Sequence, residues 1–530
     1  MWPGRRSGRT AGRPGTARPG DPQPVDGAAD RTGGGLAARR GDRPAGLRGP
    51  WRLAPAGGHR CAGRPPTAPR PDRGGRPMTA TTSDSYRRIL GVGTPMVLSS
   101  AAVMAAQLGV TALIGAMGPS ALYVRSVYMP VSYLFIAVTT GLAVTLQVVV
   151  ARSTGRGERA TAPGHLLHVA CIGVVLHLLL GVVLVTLGGP LADAVHIPSG
   201  ERGAFLRFLA AMVVGTLFGL LGELGSATLR GLGRTTVAAG VTAVTLVVHL
   251  GLIVLGVLTH QGLWIVPVAA GSAGVLEIAL VLMLLARREG LRRPRGRLTP
   301  DRGTLSLVGT IGVPVSASYL VLFLVSLLLL RIVSVGGPDV VAGFNLGYTL
   351  QSALIVPAVA FGSAVALLMN QRLGAAEPTA ARALFHKGLR ITLVAYAVPT
   401  GVLLAAPDAL AAALSTEPQV REALAEFLTV AGPAFGCTGV ALMVLTVLEQ
   451  TGRGPLAVML NVFYFAVVVA LGLNVVDGPG DVPRLYWVMC AAAAVALAVV
   501  VPLGLRTAAR LRPPPAATPG LPRPRRGVRP

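Results

Sequence analysis

The sequence predicts an all-α integral membrane protein, with about twelve transmembrane helices in two six-helix lobes that form a parallel pseudo-repeat. Three observations predict it: the length and number of apolar runs, the alternation of arginine between the loops, and an ungapped internal repeat. Of 530 residues, 52% are hydrophobic and only 13% charged, with a mean hydropathy of +0.62. Ordinary soluble domains carry about 25% charged residues, so a water-soluble fold could not cover this much apolar surface.

A bilayer core of about 30 Å needs about 20 apolar residues per helix. Windows of that length place helices over 89–113, 127–150, 164–187, 204–226, 236–258 and 262–286, and again over 305–333, 341–370, 387–406, 423–448, 455–476 and 484–505. Short cytoplasmic loops retain positive charge during insertion, which tests the count independently. Arginine gathers before the first helix (Arg87, Arg88) and after every even-numbered one. Examples are Arg152, Arg156 and Arg159, then Arg230 and Arg234, then the seven arginines from Arg287 to Arg302, then Arg372 and Arg382 with Lys387, then Arg453, then Arg506. The intervening loops are richer in acids, among them Asp193, Glu201, Asp339, Asp408 and Asp477. The number of spans is therefore even, and both termini are expected in the cytoplasm of a multi-pass protein of the cell inner membrane.

Sliding the chain along itself without gaps until Gly93 meets Gly312 also superimposes Pro95 on Pro314, Gly155 on Gly374, Glu158 on Glu377, Gly233 on Gly452 and Arg234 on Arg453. Six helices separate the copies, so both halves insert the same way up and are related by an axis along the membrane normal. The reading is a lobe over 89–286, a basic cytoplasmic linker over 287–304 and a second lobe over 305–505. Residues 1–77 and 506–530, rich in Arg, Gly and Pro, cannot bury enough apolar surface to offset ordering entropy, and are expected to be disordered basic extensions. Met78, followed by a polar TATTSDSYRR stretch, offers a start site that would leave 1–77 outside the working protein.

Several function classes are excluded or disfavoured. Lys387 is the only lysine and no GxxxxGK[ST] precedes it, so the chain carries no P-loop ATPase of its own. Cys61, Cys171, Cys437 and Cys490 are far apart and read as small core residues, not as a disulfide or metal set. No paired acids, HExxH or Ser/His constellation marks an enzyme. No nucleic-acid partner and no cofactor is expected; the partners are the bilayer and a small-molecule substrate. Nothing in the sequence fixes the oligomeric state, and a monomer is compatible with it.

Motifs in order along the chain carry a family resemblance: GTP at Gly93–Pro95, VTALIGAMGPSAL at Val110–Leu122, GLAVTLQVVVARSTGRGERA at Gly141–Ala160, LRGLGRT at Leu229–Thr235, FGSAVALLMNQRLGAAEPTAAR at Phe361–Arg382, STEPQVREALAEFL at Ser415–Leu428 and EQTGRG at Glu449–Gly454. The chain resembles the multidrug and toxic compound extrusion (MATE) family of antiporters over Ile89 to about Arg506. The resemblance implies coupling to a proton or sodium gradient. It also implies an acid in the first helix at the head of a D-T-x-x-V-G stretch, where this chain has Val110. Conventional coupling through that helix is therefore in question.

An ionisable group at a helix centre costs at least about 2.5 kcal/mol, so each one is a candidate site. Glu277 lies ten residues before Arg287, roughly 15 Å from the helix end at 1.5 Å per residue, near the midplane. It is the first candidate for ion coupling. Glu223, seven residues before Arg230, reads more readily as the partner of Arg152, Arg230 or Arg234. His249 is a third candidate, with plain hydrogen bonding as the simpler reading; His177 ranks lower. Gln107, Gln147, Asn345, Gln351 and Asn461 are expected either to line a shared substrate cavity or to make interhelical hydrogen bonds. Pro130, Pro267, Pro314, Pro357, Pro399 and Pro433 are expected inside helices, as kinks. Arg152–Glu158 and Gln371–Glu377 read as structural latches at the helix ends.

The function these residues point to is secondary active efflux of a small organic, amphipathic or cationic substrate by alternating access. The alternatives are a lipid-linked saccharide flippase, which would want a wide basic cavity, and a major-facilitator carrier, which should show a G-x-x-x-D-R-x-G-R loop that ARSTGRGER fits poorly.

Overall fold

A computed structural model describes residues 82–194, 197–288 and 302–511. The extension over 1–77, most of the linker over 287–304 and the tail beyond 511 lie outside the described residues.

Among the described residues the chain forms twelve long helices: α1 (Thr82–Gly115), α2 (Pro119–Gly155), α3 (Ala162–Thr186), α4 (Ser199–Gly231), α5 (Thr235–Leu258), α6 (Ile265–Arg288), α7 (Val313–Val333), α8 (Pro338–Gly374), α9 (Pro378–Ala405), α10 (Pro418–Leu448), α11 (Gly454–Val475) and α12 (Val482–Ala509). By length and composition eleven segments can cross a membrane, one of them the 58 residues of Pro418–Val475. That segment is two spans, α10 and α11. Gly452, with φ 98° inside the turn Glu449–Arg453, adopts the left-handed backbone that only glycine takes without steric cost and reverses the chain there.

The repeat is structural as well as sequential. The register that sets Gly93 on Gly312 carries α2 (Pro119–Gly155) residue for residue onto α8 (Pro338–Gly374), and starts the short helix Gly188–Ala194 where Pro407–Leu414 starts. Neither short helix is legible as a span, since each covers less than half the length a bilayer needs. Most long helices also run beyond their predicted ends. α1 begins at Thr82 rather than 89, because hydropathy marks the immersed part of a helix and not its polar first turns. Pro95, Pro130, Pro357, Pro399, Pro433 and Pro502 lie inside helices. Pro314 also lies inside a continuous helical run, because Arg302–Leu307 and the π turn Val308–Gly312 lead straight into α7; Pro267 differs from expectation and sits in the first turn of α6, where a missing N–H costs little.

The ends of α2, α4, α8, α10 and α12 and the start of α1 share one face, here called the basic face. Arg382 at the start of α9 donates to the last carbonyls of α12, those of Ala508 and Ala509, where a helix dipole favours a cation. Each loop motif closes on itself through an ion pair, Arg156 to Glu158 at 2.7 Å and Arg372 to Glu377 at 2.5 Å.

The lobes meet along the half of the bundle nearest this face. α2 and α8 cross where a Cβ on Gly155 would strike the carbonyl of Gln371, and one on Gly374 the carbonyl of Arg152. The repeat exchanges these four positions, so a pseudo-two-fold axis runs through the crossing. Around it, Nε of Arg152 donates to Oδ1 of Asn370 over 2.8 Å, Nε2 of Gln371 to the carbonyl of Gly231 over 3.3 Å, and Ser316 Oγ to the carbonyl of Ala137 over 2.8 Å. Further along, Tyr133 stacks on Phe323 at 5.2 Å. The lobes are closed on the basic face. Exposed polar side chains in the other halves of α1, α2 and α8, such as Gln107, Ser126, Asn345 and Thr349, mark the side away from it.

Candidate functional site

The N-terminal lobe holds a half-buried charged cluster on the seam between α4 and α6. The seam is tight because glycines on each helix admit larger residues of the other: a Cβ on Gly222 would lie 2.7 Å from Oε2 of Glu277, and one on Gly274 2.5 Å from the backbone of Phe218. Ser226 Oγ donates to Oε1 of Glu277 over 2.6 Å. Glu223 pairs with Arg230 at 2.5 Å, one of the pairings its spacing suggests. Nε of Arg230 reaches Oε1 of Gln147 over 3.0 Å. Glu223 and Arg230 are the charged groups that act on Glu277. Arg230 pairs with Glu223, while Glu277 is held by the Ser226 hydroxyl, so the cluster sets two carboxyls against one guanidinium and carries one negative charge when both are ionised. Physically, this is a place whose charge can alternate.

The C-terminal lobe has no such cluster at the equivalent positions. It has a small pocket, about 60 Å³, between α7, α8, α10, α11 and α12, where Tyr348, Gln351, Thr438, Asn461 and Tyr464 interrupt an apolar lining. Gln351 and Asn461 are each 6% exposed.

The five neutral candidates fall in different surroundings. Gln351 and Asn461 meet in the C-terminal pocket, Gln147 supports Arg230, Gln107 accepts from Arg125 and Asn345 is exposed. They separate because amide side chains far apart in the chain can share hydropathy without sharing a helix face. His249 lies half-buried in α5, and His177 is hydrogen-bonded to the carbonyl of Val213 at 2.9 Å.

Two residues escaped the sequence reading. Glu449, in the turn between α10 and α11, accepts from Ser318 Oγ over 2.7 Å. The repeat itself could have found it, since its register sets this acid on Arg230. Arg125, in α2, is 6% exposed. It lies so near the helix start that it passes for a loop arginine.

The described residues contain no group of three or more His, Cys, Asp or Glu able to hold a metal ion.

A sequence profile described as MatE matches residues 95–255 and 314–476, two copies whose starts, Pro95 and Pro314, are a pair that the internal repeat superimposes. Among curated relatives, a Shewanella oneidensis protein named as an FAD transporter is 24% identical over 74% of this chain and 89% of its own length. A Burkholderia pseudomallei protein named as the probable multidrug resistance protein NorM is 26% identical over 68% of this chain and 75% of its own. Among solved structures, the Vibrio cholerae MATE transporter VcmN in its bent form superimposes with a TM-score of 0.73 at 22% identity, over 80% of this chain and 98% of that one; it shares the fold. With a profile that covers more than half of its residues in two register-matched copies, this chain is a member of the MatE, or multidrug and toxic compound extrusion, family of membrane transporters.

Proposed function

We propose that the chain is a secondary active exporter: it moves a small organic substrate out of the cytoplasm by alternating access between its two lobes, driven by a proton or sodium gradient that acts through Glu277. The observation that carries this reading is a second carboxyl beside an ion pair on a glycine-tight seam: Glu223 pairs with Arg230, and Glu277 is hydrogen-bonded to Ser226 rather than to a cation. Such a cluster gains a proton or cation when one side is open and releases it when the other is. The concentration of arginine on the basic face assigns that face to the cytoplasm, and the lobes are then closed inward in this structure. The names of the relatives, an FAD transporter and multidrug resistance proteins, agree with a substrate that is organic and amphipathic. A lipid-linked saccharide flippase is a weaker reading, because the C-terminal pocket is apolar, aromatic and amide-lined rather than wide and basic.

The test is gradient-driven efflux of ethidium from proteoliposomes, with a pH gradient and a sodium gradient imposed separately. Glu277→Gln, which keeps the shape and removes the charge, is expected to abolish the gradient-driven component under whichever ion drives the wild type. Unchanged gradient-driven efflux in Glu277→Gln would overturn the assignment of coupling to this residue.

A further inference from the structure

Arg125 is a cation inside the N-terminal lobe with no acid facing it among the described residues. It lies six residues into α2 and is 6% exposed, among the buried side chains of its lobe rather than at the lipid surface. A guanidinium carries five N–H donors. Here the hydrogen bond it makes runs from Nη2 to the neutral Oε1 of Gln107, 3.3 Å away. Its Nε is buried without a hydrogen-bond partner, and so is the hydroxyl of Tyr128, the residue one helical turn on. The guanidinium carbon stands 5.9 Å from the centre of the Tyr128 ring, which is itself packed edge-on against Phe208 at 5.3 Å. The titratable groups that act on Arg125, or on which it acts, are Tyr128, Tyr133 and His249. All are neutral or potentially cationic; none is a carboxylate. On α1, across from it, Val110 is apolar and 3% exposed, in the same cluster as Tyr128.

A buried charge without a counter-ion is unstable unless something supplies one. Arg230 has Glu223 and Arg202 has Asp193, while Arg152, whose partner is the neutral Asn370, uses its Nε to donate across the lobe interface. Arg125 differs from all three in keeping a buried Nε with no hydrogen-bond partner. What its surroundings offer is a set of unsatisfied donors, guanidinium N–H and phenolic O–H, beside Gln107, which is exposed in the half of the bundle away from the closed basic face. Donors without acceptors, around a fixed positive charge, are the complement of an oxyanion.

We propose that Arg125 and Tyr128 form a subsite in the N-terminal lobe that binds the phosphate or carboxylate group of a small organic substrate. This rests on the transporter reading above and narrows it: the substrate carries a negative group, where the sequence alone suggested an amphipathic or cationic compound. Arg125 acts as a specificity residue, separate from the Glu277 cluster where the charge alternates.

The experiment measures thermal stabilisation of the purified full chain in neutral detergent by matched pairs of compounds that differ in one negative group: riboflavin 5′-phosphate against riboflavin, adenosine 5′-monophosphate against adenosine, and benzoate against benzyl alcohol. In at least one pair the charged member should act at a tenfold or more lower concentration than its neutral twin. Arg125→Gln should erase that ratio, and Arg125→Lys should retain part of it. Without ligand, Arg125→Met should melt above the wild type, since it removes a charge that nothing in the protein balances. The proposal is overturned if no pair separates by charge, if the ratio survives in Arg125→Gln, or if both Arg125→Met and Arg125→Gln melt below the wild type, which is the mark of a structural arginine. It is also overturned if vesicles containing phosphatidylglycerol, and no soluble compound, give the stabilisation, because the anion is then a lipid headgroup. Ethidium efflux by the wild type in proteoliposomes stands as a separate arm. Its presence with a failed charge ratio sinks this subsite alone, and the absence of gradient-driven efflux of both ethidium and riboflavin 5′-phosphate sinks the transporter reading itself.

Discussion

If the crossing of α2 over α8 is the seal of the basic face, a side chain added there must open it. Gly374 is the position to use, because a Cβ there would lie against backbone of Arg152, which cannot turn aside as a side chain could. Gly374→Val is an overpacking substitution at a helix crossing, for which about 1–3 kcal/mol is typical. The clash exists only while the lobes are closed, so the cost falls on that state alone. At about 1.4 kcal/mol per factor of ten, the closed population should drop roughly 5- to 150-fold relative to the open one. The assay is disulfide cross-linking between Arg156→Cys and Ala375→Cys, exposed positions on the two sides of the crossing, in a background with Cys61, Cys171, Cys437 and Cys490 replaced. Gly164→Val makes the same chemical change at a glycine with nothing within 4 Å, and should leave cross-linking at the parent level. The reasoning fails if Gly374→Val cross-links as fast as its parent while melting lower. The crossing would then be ordinary packing, and the seal would have to lie elsewhere.

Four further outcomes follow from the same contacts. Arg230→Met leaves the half-exposed Glu223 without its partner and should destabilise by about 1 kcal/mol, the upper end for a solvent-screened pair; pairing it with Glu223→Gln should recover most of the melting temperature. Ser226→Ala removes the hydroxyl that donates to Glu277 and should cost about 1.5–3 kcal/mol in chemical or thermal unfolding, the range for a hydrogen bond to a charged group. Glu449→Gln keeps the shape of a carboxyl whose partner is Ser318; gradient-driven efflux should stay within about twofold of wild type, and its loss would move coupling to the second lobe. Arg382→Ala uncaps the end of α12 and should lower stability by about 1 kcal/mol without altering the ratio of coupled to uncoupled flux.

The parts of this protein legible in the sequence are those governed by hydropathy and by symmetry. Apolar length gave the spans, and the repeat gave the equivalence of α2 with α8 to the residue. What stayed hidden depends on which way a helix face turns, a property that one-dimensional patterns carry weakly in a membrane. In a soluble helix an amphipathic stripe reports the buried face, but here both faces are apolar, one toward lipid and one toward the partner helices. Gln147 and Gln351 look alike in sequence, yet one supports a guanidinium and the other lines a pocket. Arg125 was obscured for a related reason: six residues from a helix start is the depth at which arginine often reaches back to the interface, and only packing shows that this one does not.

The repeat also says where chemistry must be sought, because the two lobes agree in scaffold and disagree in charge. The glycines of the crossing, the lengths of α2 and α8 and the starts of the short peripheral helices recur in one register. The ionisable interior does not: the positions equivalent to Arg125, Glu223, Arg230, His249 and Glu277 are Phe344, Leu442, Glu449, Val468 and Ala496. Three of those five, Leu442, Val468 and Ala496, line the apolar C-terminal pocket. The same interior volume is therefore a charged cluster in one lobe and an apolar cavity in the other. Were charge needed only to hold helices together, both copies would need it, since both make the same bundle. Its asymmetry, with Glu449 the one acid at these positions of the second lobe, means that it answers to something the lobes do not share, and a divided task meets that condition: ion and anion handling in the first lobe, apolar contact with the substrate in the second. Moving the pair Glu277→Ala and Ala496→Glu together tests this. If the charged cluster were structural, the exchange would be tolerated in neither lobe. If the task is divided, the doubly exchanged protein should fold, bind apolar compounds more weakly through its second lobe, and lose gradient-driven efflux.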